Sequence, residues 1–79
     1  MNYRLRWFAS LADHAGRAEE SVSSDTSALP ELYAELSARH GFRLAPERVR
    51  VAVNGAFVDW GHVLADGDEI VFMPPVSGG

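Results

Sequence analysis

Hydrophobic and polar positions divide this chain into short alternating stretches arranged around one stretch of helical period. Tyr3, Leu5 and Trp7 alternate with Arg4, Arg6 and Phe8, which predicts a strand with one buried face. Leu11 to Gly16 reads as a turn or a single helical turn, stopped by Gly16. Ala18 to Ser24 is polar and predicts an edge strand, set beside the first by a hairpin. Leu29, Leu32, Tyr33, Leu36 and His40 follow the i, i+3, i+4, i+7 spacing of a helix face, so a helix is expected over 29–40. Thr26 or Ser27 is placed to cap its start. Pro30 falls in the first turn, where little backbone hydrogen bonding is lost. Arg39 and His40 suit the negative end of the helix dipole. Gly41 predicts a left-handed end, with Phe42 folding back as its apolar partner.

Arg43 to Arg48 is a connection broken by Pro46. Val49, Val51 and Val53 then alternate with Arg50 and Ala52, a second clear strand. Asn54-Gly55 follows directly. Both central residues of a type I′ turn need positive φ, so this pair predicts a hairpin returning through Ala56 to Val58. Trp60 and Leu64 are apolar anchors for the next loop, and Asp66-Gly67-Asp68 is a tight turn. Glu69 to Met73 is the last strand, with Ile70 and Phe72 on one face and Val71 and Met73 on the other. The order is strand, strand, helix, then two or three strands. One helix and one mixed sheet can cover each other's apolar sides, which predicts an α+β roll of the β-grasp type packed on one main helix. The domain is expected over 1–73, with 74–79 as an extended tail.

Composition narrows the chemistry. A chain of 79 residues buries only about 60% of its unfolded surface, so it is one domain with little stability to spare. The net charge of −4 argues against nucleic acid, which demands a basic face. No apolar run approaches the roughly 20 residues of a membrane span, and the start lacks a signal-peptide pattern; a cytoplasmic location is expected. All seven basic side chains are Arg, so amide-forming chemistry on the chain has no lysine to use. Cysteine is absent too, which removes disulfides, thiolate metal sites and thiol nucleophiles. His14, His40 and His62 match no zinc spacing, Asp66, Asp68 and Glu69 lack the length of a calcium loop, and no metal is expected. Ser21, Ser23, Ser24 and Ser27 have no local base to activate them.

Attention therefore falls on PPVSGG, residues 74–79. Pro74-Pro75 favours an extended backbone of low entropy. Seven residues from Met73 span about 23 Å when fully extended. Glycine lacks Cβ, so Gly78 and Gly79 can pass a channel too narrow for other residues. A terminal carboxylate at Gly79 is a poor electrophile until activated. ATP can convert it to an acyl-adenylate, and a sulfur donor can then displace AMP. The product is a thiocarboxylate whose ionised sulfur is a nucleophile.

LADGDEIVFMPPVSGG, from Leu64 to Gly79, resembles the C-terminus of the small subunit of molybdopterin synthase. RWFASLADHAG resembles that family's first strand and turn, 26–41 its main helix, and VAVNGAFVDW its central hairpin. The resemblance implies a ubiquitin-like β-grasp fold and a sulfur carrier. It implies an adenylating enzyme that uses ATP on Gly79, with no cofactor held permanently, and a sulfurtransferase as sulfur donor. It implies a large subunit into which the tail inserts, so that two transfers convert cyclic pyranopterin monophosphate into the dithiolene of molybdopterin. Gly79 would carry the thiocarboxylate, Gly78 would permit threading, and Pro74, Pro75, Val76 and Ser77 would line the insertion path. No active site of the chain's own is implied. Apolar partner contacts are implied at Phe8, Phe57 and Met73, so these are expected to form an exposed patch beside the tail. Arg4 and Arg6 would add charge to the same outer face. Met73 stands where that family commonly has an aromatic residue; methionine fills apolar gaps adaptably. Three other readings stay open: a sulfur carrier for thiazole or another pathway, a protein modifier joined through Gly79 to lysines of targets, and an interaction module with an inert tail.

Overall fold

A computed structural model describes residues 1–75; Val76, Ser77, Gly78 and Gly79, and the roles expected of them, lie outside the described residues. The elements run β1 (Asn2–Trp7), α1 (Ala9–Ala15), β2 (Glu19–Ser23), α2 (Leu29–His40), a single 3-10 turn (Pro46–Arg48), β3 (Arg50–Val53), β4 (Ala56–Val58) and β5 (Glu69–Met73). The five strands form one mixed sheet in the order β2-β1-β5-β3-β4. β1 and β2 pair antiparallel as the hairpin expectation requires, with Tyr3 opposite Val22. β1 and β5 pair parallel, with Leu5 opposite Ile70 and Trp7 opposite Phe72. β3 joins the other edge of β5 antiparallel, with Arg50 opposite Met73.

The alternation in β1 and β5 sorts their side chains by face. Tyr3, Leu5, Trp7, Ile70 and Phe72 are buried and meet Leu29, Leu32, Tyr33 and Leu36 of α2 in one core. Trp7 stacks on Phe72 with ring centroids 5.5 Å apart. Tyr33 reaches across the core and donates its hydroxyl to the Leu44 carbonyl at 2.7 Å. Trp60 packs against the core and donates its indole N–H to the Val49 carbonyl, while Leu64 is fully buried. Ala52 was expected on the exposed side of β3, yet it is also buried. Its neighbours in register are Phe57 and Val71, and a methyl group is too short to rise above them.

Three local features differ from expectation. α1 begins at Ala9 and runs for seven residues, longer than the single turn read from Leu11. Ala9 has φ 51°, a left-handed backbone that turns the chain sharply from strand to helix, and nothing in the residue type announces it. The N-cap of α2 is Ala28, with no side-chain cap. Thr26 works one step earlier: its hydroxyl oxygen accepts from the Ala28 N–H at 3.0 Å and its hydrogen goes to Glu31. His40, expected to serve only the helix end, has a partner on another element. Its Nε2 meets Glu20 Oε1 at 2.5 Å, and the Trp7 indole N–H donates to the same oxygen at 3.0 Å. The C-terminal end of α2 forms as read: Gly41 is left-handed at φ 75°, and Phe42 packs edge-on to Trp7. The hairpin also forms as read, with φ 51° at Asn54 and 87° at Gly55.

Candidate docking face

Both helices contribute to the core on one side of the sheet, so among the described residues no helix covers the other side. Register builds that face row by row. Directly paired residues in neighbouring strands share a face. Arg6, Val71, Ala52 and Phe57 therefore form one continuous row across β1, β5, β3 and β4. The next row holds Met73 and Arg50. Phe8 keeps an extended backbone (φ −128°, ψ 152°) one position past the Trp7–Phe72 pair, which puts it on this side next to Met73.

The predicted residues are placed as follows. Phe8 is 47% exposed and Phe57 59% exposed, among the most exposed large apolar side chains described. Met73 is half-buried. All three stand on the outer face, and Phe8 and Met73 stand at the end where the chain leaves β5 through Pro74 and Pro75. Parallel pairing of β1 with β5 produces this convergence, since it brings both strand ends to one rim. Pro74 is half-buried and Pro75 exposed. Arg4 and Arg6 are also on the face, but Arg6 is already paired with Glu19 at 3.4 Å. Such an exposed pair contributes little.

Arg50 was read only as the polar position of an alternating strand. The register places it between Met73 and the β4 edge, and its guanidinium carbon lies 4.2 Å from the centre of the Phe57 ring. That geometry is a cation–π contact. Arg50 and Phe57 also line an open depression of about 860 Å³ that runs past β4 to Trp60 and His62. No local sequence signal marks this grouping, because it depends on which strands pair. Chemically the face can bind a protein surface: it is wide, presents Phe8, Phe57 and Met73, and holds Arg50 beside two of them. Among the described residues no group of three His, Cys, Asp or Glu could hold a metal ion, and no helix is long and apolar enough to cross a membrane.

Two tyrosines on the opposite side of the sheet are held above their ordinary pKa. Tyr33 is pushed up by burial, with the Ser37 hydroxyl working the other way. Tyr3 is pushed up by burial first, then by Asp68, Asp66 and Glu35. Both are core hydroxyls with carbonyl acceptors, Leu44 for Tyr33 and Thr26 for Tyr3.

A mixed sheet with a parallel β1–β5 pair at its centre, wrapped over one long helix, defines a ubiquitin-like β-grasp protein. The chain belongs to the ThiS family, whose family model matches residues 5–79. It is 34% identical to the molybdopterin synthase sulfur carrier subunit of Escherichia coli (strain K12), over 96% of this chain and 98% of the relative. Its fold resembles that of SAMP1 from Haloferax volcanii, with a TM-score of 0.81, 27% identity and 100% of both chains covered. It also resembles a chain in the protein–protein complex of subunits 1 and 2 of the molybdopterin-converting factor from Helicobacter pylori 26695. There the TM-score is 0.69 at 28% identity, again over 100% of both chains.

Proposed function

We propose that this chain is the sulfur-carrying small subunit of a molybdopterin synthase. The observation that carries the reading is the 34% identity, running over nearly the full length of both chains, with the Escherichia coli sulfur carrier subunit. The apolar face beside the root of the PPVSGG tail supports it.

In this reading an adenylating enzyme uses ATP to activate the Gly79 carboxylate. A sulfurtransferase supplies sulfur that displaces AMP, leaving a thiocarboxylate. The large subunit docks on Phe8, Phe57 and Met73 and receives the tail. Pro74, Pro75, Val76 and Ser77 line the entry path, and Gly78 passes the narrowest part because it has no Cβ. In each transfer the thiocarboxylate sulfur replaces an oxygen substituent on a carbon of cyclic pyranopterin monophosphate, and water then cleaves the acyl–sulfur bond, leaving the sulfur on the substrate and returning the Gly79 carboxylate; two carriers in succession complete the dithiolene. Nothing in the carrier catalyses these steps; it presents a nucleophile and a surface.

The absence of cysteine makes a direct test possible. The protein with a free C-terminus is incubated with ATP, a sulfur source and extract of its host, then alkylated with a thiol reagent and fragmented by mass spectrometry. A label on Gly79 is expected. Fragmentation is needed because oxidation of Met1 or Met73 has the same nominal mass change as an oxygen-to-sulfur exchange. Absence of label with an active adenylating enzyme, together with recovery of the chain on lysines of other proteins, would replace the carrier with a modifier.

A further inference from the structure

Arg50 stands within the exposed sheet face, yet among the described residues no carboxylate lies within 4.0 Å of its guanidinium. The ion pairs present are Arg6–Glu19 and His40–Glu20. Arg50 instead rests over Phe57 and stands opposite Met73. We propose that Arg50 is the polar anchor of this face, receiving a carboxylate from the protein that docks on Phe8, Phe57 and Met73. The proposal rests on the docking reading above and adds the chemistry the partner must offer.

Desolvation drives the argument. A partner that covers Phe57 and Met73 also covers the guanidinium between them. Removing a cation from water without a partner charge is expensive, so an apolar surface alone would be rejected. A guanidinium presents a planar fork that matches a carboxylate with two parallel hydrogen bonds. Stacking on Phe57 holds that fork in place before binding, which lowers the ordering cost on association. Arg6 lacks this need because Glu19 already accompanies it. Lysine could not stack in the same way.

The charges facing Arg50 bound where the carboxylate can sit. Glu47 and Asp59 line the depression beside it, and both are exposed. Asp59 follows Val58, which pairs with Val51, so it lies opposite Arg50 in register. These two carboxylates keep their water and repel a second acid placed over them. The incoming carboxylate therefore approaches from the Met73 side.

The test titrates the synthase large subunit of the same organism into the full chain and its variants by calorimetry, at low and high salt. Circular dichroism verifies that each variant is folded. Arg50→Met keeps the length and the apolar cover over Phe57 but removes the charge. It is expected to weaken binding by about thirty-fold or more at low salt, and by less at high salt. Arg50→Lys is expected to restore part of the affinity, and Asp59→Asn to tighten it. Arg50→Met binding as tightly as the native chain, while Phe57→Glu abolishes binding, would overturn the anchor and leave the docking face standing. Native-like binding by Phe57→Glu would overturn the docking reading and the anchor with it.

Discussion

At the scale of single residues, burial sets the behaviour of two tyrosines. The folded protein holds Tyr3 and Tyr33 above their ordinary value of 10.0, chiefly because a tyrosinate in the core would lose its water. The unfolded chain therefore releases these protons first as pH rises. Between the ordinary value and the raised folded value, the native state binds more protons than the unfolded state. Stability is then fully present below the ordinary value and falls as pH climbs above it. Urea midpoints are expected to hold from pH 7 to 9 with respect to these groups and to fall above about pH 10. Tyr33→Phe should cost about 1 kcal/mol through its lost bond to the Leu44 carbonyl and should flatten part of the alkaline slope. An alkaline slope unchanged in Tyr33→Phe would show that Tyr33 contributes none of it.

Between elements, the Glu20 side chain adds to the β1–β2 ladder a link from β2 to the Trp7 ring and to the end of α2. One of its oxygens serves both the Trp7 indole and the His40 ring, and the side chains of His40 and Glu20 are only 12% and 8% exposed. Glu20→Ala leaves two buried polar groups without an acceptor and should cost about 2 kcal/mol, read from urea unfolding. Glu20→Gln keeps an acceptor oxygen and should cost less than half as much; equal losses would show that packing, not hydrogen bonding, is at stake. Elements with local causes were legible in the sequence: the alternation of Tyr3, Leu5 and Trp7, the spacing of Leu29 to Leu36, and the Asn54-Gly55 turn. What depends on distant pairing was not. Glu20 and His40 are 20 residues apart on different elements. The parallel pairing of Leu5 with Ile70 has no short-range signature, and the placement of Arg50 beside Met73 follows only from it and from β3 joining β5. The left-handed Ala9 was hidden because alanine ordinarily avoids that backbone. Phe8, Phe57 and Met73 came from a family resemblance, and their exposure on one face is a property of the assembled sheet.

For the whole molecule, the two sides of the sheet separate folding from recognition. Core residues lie on one side and the docking candidates on the other. Phe8→Glu should therefore change the unfolding free energy by less than about 0.5 kcal/mol. The same variant should weaken large-subunit binding at least about ten-fold, read by calorimetry beside the melting curve. A collapse in stability would place Phe8 in the core and remove it from the face. The position of β5 has a mechanical consequence. This strand is third of five, hydrogen-bonded along one edge to β1 and along the other to β3. A pull applied at Pro75 along the axis of β5 loads both ladders in shear, many bonds at once. An edge strand pulled sideways would unzip one bond at a time. A partner that grips the tail and draws it inward thus transmits the load to the strongest-tethered strand of the sheet, and the carrier follows its tail as a rigid body without unravelling.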